Sequence, residues 1–118
     1  MAFVPLMHGT LTLFPKCQVA RDFWSRFMGI MLKKDLGREE ALVFPKCNSI
    51  HTCFMRFPID IIFVDEKGTI REIIDSLKPW RLLFPRRNVK HTIEVRAGLS
   101  REHNLTTGMQ LKCLGVWQ

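Results

Sequence analysis

The segment Ile59–Asp65 constrains the fold of this chain more than any other part of the sequence. It reads Ile-Asp-Ile-Ile-Phe-Val-Asp, so an extended strand would present large apolar side chains on both of its faces. Strands of this kind are covered on both sides in folded proteins, which predicts a position in the middle of a sheet. The following residues, Asp65–Gly68, predict a hairpin turn because Gly68 tolerates positive φ, and Thr69–Ile74 would return as the neighbouring strand.

Short apolar runs bounded by turn-forming residues predict further strands on both sides of this central one. They are Thr10–Phe14, Ala41–Phe44, Ser49–Met55, His91–Arg96 and Met109–Trp117, with one helical turn at Ser100–His103. The dipeptide Phe-Pro occurs four times. Each proline removes a ladder donor, so these points are expected at strand ends or at sheet edges.

One amphipathic helix is predicted over about residues 18–31. Apolar side chains recur there at spacings of three and four residues, which is one face of a helix. On the other face, Asp22 and Arg26 form a favourable pair four residues apart. About seven strands and one helix together predict a mainly β fold: a small β-sandwich or partly open barrel with this helix packed on it.

The length of 118 residues predicts a single domain, 1–118, with a core large enough to need no disulfide or metal. Lys and Arg number 18 against 11 Asp and Glu, which gives a net charge of +7. This balance permits contact with nucleic acid, anionic lipid or acidic ligands. No run approaches the roughly 18 apolar residues of a membrane-spanning helix, so no membrane span is predicted.

The first residues do not follow the pattern of a signal peptide, because the first basic residue is Lys16 and Pro5 interrupts the apolar run. A cytoplasmic location is therefore expected, and in that compartment cysteines remain thiols. The residues expected to be free thiols are Cys17, Cys47, Cys53 and Cys113.

Cys47, His51 and Cys53 come nearest to a metal-binding motif. Three ligands in a row on an extended strand cannot converge within about 2.3 Å of one ion, so neither a metal nor a cofactor is predicted. His51 and Asp60 could act as a general base and its orienting acid. A hairpin through residues 56–58 would, however, hold the two about 10 Å apart.

Asp60 is the least expected residue of the central strand, because an ionised carboxylate among apolar neighbours is costly unless it is paired. It is either a buried acid that caps the Met55–Pro58 loop or pairs with Arg56 or Arg96, or a ligand-contacting carboxylate in a cleft. The function predicted first is a non-catalytic binding module with a concave site near His51 and Asp60. Its candidate ligand-binding residues are His51, Thr52, Met55, Arg56 and Asp60.

Two other functions stay open. One is a small hydrolase- or transferase-type enzyme that uses His51 and Asp60. The other is weak association with nucleic acid through residues 78–90, a segment with five cations, two aromatic residues and no acid. Cations beside an exposed aromatic ring suit an anionic small molecule or a nucleic acid, although a merely solvated face explains them as well. The candidate anion-binding residues are Lys78, Trp80, Arg81, Arg86, Arg87 and Lys90.

The order and spacing of several segments resemble a known family, over about residues 10–113. These segments are Phe27–Met31, Leu42–Pro45, Ser49–Thr52, Phe54–Met55, Ile59–Asp65, Pro79–Arg81, Ile93–Glu94 and Ala97–Gly98. Together they are similar to the uncharacterised prokaryotic family called domain of unknown function one-nine-two. The resemblance implies a mainly β, sandwich-like fold and no established activity.

Overall fold

The computed structural model describes residues 3–20, 36–51 and 57–117. Within these ranges the chain forms nine strands and one short helix. The strands are β1 (Phe3–His8), β2 (Leu11–Val19), β3 (Glu40–Phe44), β4 (Ile50–His51), β5 (Ile59–Val64), β6 (Ile70–Leu77), β7 (Leu82–Leu83), β8 (His91–Arg96) and β9 (Lys112–Cys113), and the helix is α1 (Leu99–Glu102). No helix of the described ranges has the length and apolar character needed to cross a bilayer.

Seven strands form one open sheet in the order β6-β5-β8-β3-β2-β1-β9, and β4 pairs with β7 in a separate ribbon. The two edges of the large sheet meet at one end, because Thr69 bridges Gln110 and the Ile70 N–H donates to Met109 O at 2.8 Å. The sheet therefore curls on itself. The predicted mainly β fold is confirmed, and of its two forms the curled sheet corresponds to the partly open barrel.

The prediction that residues 59–65 form a strand covered on both faces is confirmed for β5, since all of its residues are buried, and β5 lies next to the edge strand β6. Alternate residues of this strand enter two apolar clusters. The inner cluster fills the curl of the sheet and includes Phe14, Ile62, Val64, Ile93, Val95 and Trp117. The outer cluster lies on the opposite face and comprises Ala20, Leu36, Leu42, Phe44, Ile59, Ile61 and Phe63.

Strand β2 extends well beyond the predicted Thr10–Phe14. It continues through Pro15, where a register shift against β1 accommodates the missing donor, as prolines require within sheets. Its last residues, Gln18 and Val19, pair in parallel with β3. The predicted helix therefore cannot begin at residue 18, and the rest of its span, residues 21–31, lies outside the described residues.

Pairing around the central strand differs from the hairpin expected between Ser49–Met55 and β5. Strand β5 pairs with β6 and β8 instead, and β4 pairs with β7. The turn after β5 is confirmed: the Gly68 N–H donates to Asp65 O at 3.0 Å, with φ of 84° at Gly68. Strand β1 is not predicted by the sequence, and its register shifts against β2 explain why no clean alternation reveals it.

Three of the four cysteines predicted to be free thiols lie within the described ranges, and Cys53 lies outside them. Cys17 and Cys113 are buried in the inner cluster, Cys47 is half-buried, and none of the three forms a disulfide. A hydrogen bond with Cys113, followed by burial, raises the pKa of the Cys17 thiol. These two thiols therefore act as small apolar core groups rather than nucleophiles.

Candidate functional site

The carboxylate of Asp60 lies on the inner face of β5 and is fully buried. Its Oδ1 accepts the Ser76 N–H at 2.8 Å. Its Oδ2 accepts the Gly98 N–H at 3.0 Å, the Ser100 N–H at 3.0 Å and the Ser100 hydroxyl at 2.6 Å. Burial raises the pKa of Asp60, but the hydrogen bonds from Ser100, Ser76 and Gly98 outweigh it and leave the pKa lowered.

Asp60 therefore ties three elements together: the central strand β5, the end of β6 and the start of α1. This arrangement is a buried, satisfied acid, as one of the two sequence hypotheses holds. The partners differ from those expected, since backbone N–H groups and a serine take the place of Arg56 or Arg96. A carboxylate that already accepts four hydrogen bonds has little capacity left for an external ligand.

The rest of the predicted ligand site is separated from Asp60 or is not described. Thr52, Met55 and Arg56 lie outside the described residues, and for His51 only the backbone is described. That backbone belongs to β4, which pairs with β7, and Leu83 of β7 packs on the outer cluster. Because Asp60 points to the inner face, the sheet lies between its carboxylate and β4. The described geometry gives no support to a dyad of His51 and Asp60.

The basic segment, residues 78–90, covers part of the outer face of the sheet as an irregular strand that includes β7. Leu83 and Val89 pack against the outer cluster. The Arg86 N–H donates to Asn48 O at 3.1 Å and links the segment to the loop before β4. The side chains of Leu83 and Val89 and the Arg86 main-chain N–H therefore hold the basic segment against the rest of the fold.

Three large apolar side chains of the same segment point outward. Trp80, Leu82 and Phe84 are 60%, 62% and 70% exposed. Leu82 and Phe84 alternate around β7, where the extended backbone places them on one side, and Trp80 precedes them in a bend. Trp80 also has a φ of 62°, a left-handed conformation that bulky residues rarely adopt and that costs roughly 1–3 kcal/mol. Clustered exposed apolar groups mark interaction surfaces in soluble proteins.

Exposed cations surround these three side chains. They are Lys78, Arg81, Arg87 and Lys90. We call the seven residues together the aromatic basic face. Its members are those predicted for anion binding, with Leu82 and Phe84 added and Arg86 removed.

Arg86 belongs to the fold rather than to this face. Its Nε donates to Glu72 Oε1 at 3.0 Å and its Nη2 to Glu72 Oε2 at 3.4 Å. The guanidinium carbon lies 5.3 Å from the ring centre of Phe63, and Nη1 donates to Phe84 O at 2.7 Å. A two-pronged ion pair stacked on an aromatic ring neutralises the charge in place. That Arg86 binds an external anion stays a prediction, and its guanidinium is already paired within the fold.

An open cleft of about 280 Å³ lies beside the start of β8. It is lined by Asp65, Glu66, Arg71, Asn88, Val89 and Lys90. Asp65 and Arg71 pair with each other at 3.3 Å, so the charges of the lining largely cancel. Within the described ranges no three potential ligand side chains converge on a metal position.

His91, at the start of β8, serves the core. Its Nδ1 accepts the Lys46 N–H at 3.1 Å, and its ring stacks on Trp117 with 4.8 Å between the ring centres. Burial, followed by the charge of Lys90, lowers the pKa of His91. A neutral, stacked imidazole with one nitrogen already accepting a hydrogen bond is a structural residue.

Glu94 is a buried acid that sequence reasoning passes over. It lies at the middle of β8, opposite Leu42 of β3 and Ile61 of β5, and is 1% exposed. Among the described residues, its Oε2 is a buried side-chain oxygen without a hydrogen-bond partner. Burial raises the pKa of Glu94 well above the usual range, so the acid is held in its neutral form. In the sequence, Glu94 is a polar residue within an alternating strand pattern, and such residues usually face solvent. The pattern therefore gives no sign that Glu94 is buried.

Glu94→Gln is expected to become more stable than the natural chain as the pH rises. The folded protein keeps a proton that the unfolded chain releases above about pH 4.5, so the free energy of unfolding of the natural chain falls by up to about 1.4 kcal/mol per pH unit until the folded pKa is reached. Urea unfolding of both proteins from pH 4 to pH 7 measures the difference. The exposed Glu66→Gln is the control. Parallel curves for Glu94→Gln and the natural chain would show that Glu94 is ionised in the fold.

Comparison with known sequences gives a consistent family. The model of DUF192, described as "Uncharacterized ACR", matches residues 7–113. A UPF0127 protein of Pyrococcus abyssi is 32% identical over 97 residues, which are 79% of this chain and 81% of that one. A UPF0127 protein of Thermococcus sibiricus is 33% identical over 90 residues, which are 71% of this chain and a little over half, 56%, of that one.

Two solved structures share the fold. A protein of unknown function from Novosphingobium aromaticivorans DSM 12444 has a TM-score of 0.76 at 22% identity, over 92% of this chain and 82% of that one. A protein from Sinorhizobium meliloti 1021 has a TM-score of 0.78 at 21% identity, over 95% of this chain and 92% of that one. At such identities the likeness concerns architecture alone. The family match over residues 7–113 and the curated relatives establish that the chain belongs to DUF192, a family of unknown function.

Proposed function

We propose that this protein is a non-catalytic module that binds single-stranded nucleic acid through the aromatic basic face. The observation that carries the proposal is the alternation of Trp80, Leu82 and Phe84, each at least 60% exposed, within a segment of cations. Proteins that bind single strands combine a positive track for the phosphates with aromatic platforms for the bases. The net charge of +7 supports the same ligand class, because it draws polyanions to the whole surface.

A polymer suits this face better than a small anion. A small anion is usually held in a concave pocket with convergent donors. The aromatic basic face instead spreads its cations along the segment from Lys78 to Lys90, with the apolar groups between them. The hydrolase or transferase alternative receives no comparable support, because Asp60 is saturated with hydrogen bonds on the other side of the sheet.

A labelled oligothymidylate of about twelve nucleotides, followed by fluorescence anisotropy at about 50 mM salt, tests the proposal. Trp80→Ala and Phe84→Ala are each expected to weaken binding by about 5- to 50-fold, the loss of one stacked base. Arg87→Ala is expected to weaken binding less and to reduce the salt dependence, since it removes one phosphate contact.

Matched controls lie outside the segment. Leu114→Ala removes an apolar side chain that is 71% exposed, and Lys112→Ala removes an exposed cation. Both should bind as the natural chain does. Failure of the natural chain to bind at low salt, or equal binding by Trp80→Ala, would refute the proposal. Binding to vesicles of anionic lipid in place of the oligonucleotide would assign the face to a membrane surface.

A further inference from the structure

Among the described residues, strand β6 forms one edge of the large sheet and has no neighbouring strand on its outer side along most of its length. At its first residue, the Ile70 N–H and C=O bond to Met109 and Gly108. From Arg71 onward the strand pairs with β5 on one side. On the other side, the backbone hydrogen bonds of the described residues provide no partner strand. An edge of this length is a template for another strand.

The opposite edge of the sheet shows how such exposure is usually limited. Strand β9 at that edge has only two residues, Lys112 and Cys113. Strand β6 has eight, with neither proline nor lysine among them, and its Ile73 and Ile74 are both half-buried. Short length, lysine and proline are common ways of blunting an edge. Strand β6 lacks these three, but it carries Arg71, Glu72 and Asp75 and two register shifts against β5, so its edge admits only a partner that meets those charges.

The charges of β6 are complementary to those of an identical strand. Arg71 and Asp75 lie at equal distances on either side of Ile73. In an antiparallel pair centred on Ile73, Arg71 of each copy faces Asp75 of the other, which gives two ion pairs about a two-fold axis. A parallel pair in register would place like charges side by side. Cross-strand pairs of opposite charge stabilise a sheet, and like charges destabilise it.

Arg71 and Asp75 can each pair across the interface while keeping the ion pair that they form within their own copy. Arg71 Nε lies 3.3 Å from Asp65 Oδ2, and Arg101 Nη2 lies 2.6 Å from Asp75 Oδ2. The Arg101–Asp75 pair is exposed, whereas Asp65 in the other pair is half-buried, and exposed pairs contribute at most about 1 kcal/mol. On dimerisation, Arg71 would lie between Asp65 of its own copy and Asp75 of the second copy, and that Asp75 would remain paired with Arg101 of the second copy. The charges along each half of the interface would then alternate in sign. The chain of charges uses the spare donors of the guanidinium groups.

We propose that β6 pairs antiparallel with β6 of a second copy of this chain. The resulting dimer has an isologous interface, with Ile73 at the axis and one continuous sheet across both copies. In each copy the aromatic basic face lies on a segment other than β6, so the dimer would carry two such faces.

Analytical ultracentrifugation over a range of protein concentrations tests this inference. The natural chain is expected to form a dimer. Arg71→Asp and Asp75→Arg should each weaken it by about tenfold or more, because each places like charges opposite one another in both halves of the interface. The double variant Arg71→Asp/Asp75→Arg restores the opposite signs across the interface and should dimerise more tightly than either single variant, but less tightly than the natural chain because Asp65 and Arg101 then face like charges. Lys112→Asp is the control for charge reversal elsewhere.

Amide hydrogen exchange of the natural chain provides a second test that needs no variant. The amides of residues 71–75 should gain protection as the concentration rises, while those of β9 should not. A natural chain that remains monomeric at high concentration would overturn the inference. So would single variants that dimerise as well as the natural chain, or a folded double variant that shows no recovery.

Discussion

Gly68→Ala is expected to lower the free energy of unfolding by about 2–4 kcal/mol. Gly68 has a φ of 84°, and a Cβ added there would lie 2.0 Å from Trp117 Nε1 and 2.3 Å from Leu111 O. Those two atoms are themselves hydrogen-bonded at 2.8 Å. The methyl group would therefore force apart the contact by which the C-terminal segment closes the sheet. Denaturant midpoints of the two proteins measure the loss.

Gly108→Ala is the matched control for this prediction. Gly108 also has a positive φ, 94°, but an added Cβ would meet no atom within 4 Å. Gly108→Ala should lower the free energy of unfolding by about 1 kcal/mol, which is the cost of the backbone conformation alone. Equal losses for the two variants would mean that crowding against Trp117 contributes nothing to the destabilisation by Gly68→Ala.

Asp60→Asn is expected to destabilise the protein by about 2–4 kcal/mol at neutral pH. The amide cannot accept all the N–H and O–H groups that converge on the carboxylate, so it brings an N–H group against buried donors. Because the folded pKa of Asp60 is lowered, its stabilising contribution is present above the unfolded value of about 3.9 and is lost as the pH falls through the folded pKa. The difference between the two proteins should therefore shrink in acid.

Chemical unfolding of both proteins between pH 2 and pH 7 tests this dependence. Asp75→Asn, at a low protein concentration, is the matched control, because Asp75 is an exposed aspartate with a single ion pair. A full-sized effect of Asp60→Asn that persists unchanged in acid would contradict the role of the ionised carboxylate. Glu94→Gln should follow the opposite trend, since a raised pKa removes stability as the pH rises.

The parts of the fold that could be predicted from the sequence are those with local signals. Strand β5 and the turn at Gly68 carry an apolar alternation and a glycine within a few residues of each other. The pairing of β4 with β7 carries no such signal, because Ile50 and Leu83 meet across a long stretch of chain. The extension of β2 through Pro15 depends on a bulge that propensity alone argues against.

The same limit applies to the candidate site. The burial of Asp60 follows from its strand, but its donors at Ser76, Gly98 and Ser100 come from distant segments and could not be deduced. The neutralisation of Arg86 by Glu72 likewise depends on how residues 78–90 cross the sheet. The exposed aromatic residues were identifiable because cations and prolines surround them in sequence.

The position of β3 has a consequence for the kinetics of folding. It lies between β2, which it joins in parallel, and β8, where Phe44 pairs with Thr92. The hairpins β1–β2 and β5–β6 can form within short stretches of chain, whereas β3 can be inserted only after two long loops close. Folding is therefore expected on the millisecond-to-second scale typical of non-local β topologies. The last state before the native fold should contain both hairpins but not yet β3 between β2 and β8. In this incomplete sheet, aggregation would compete with folding.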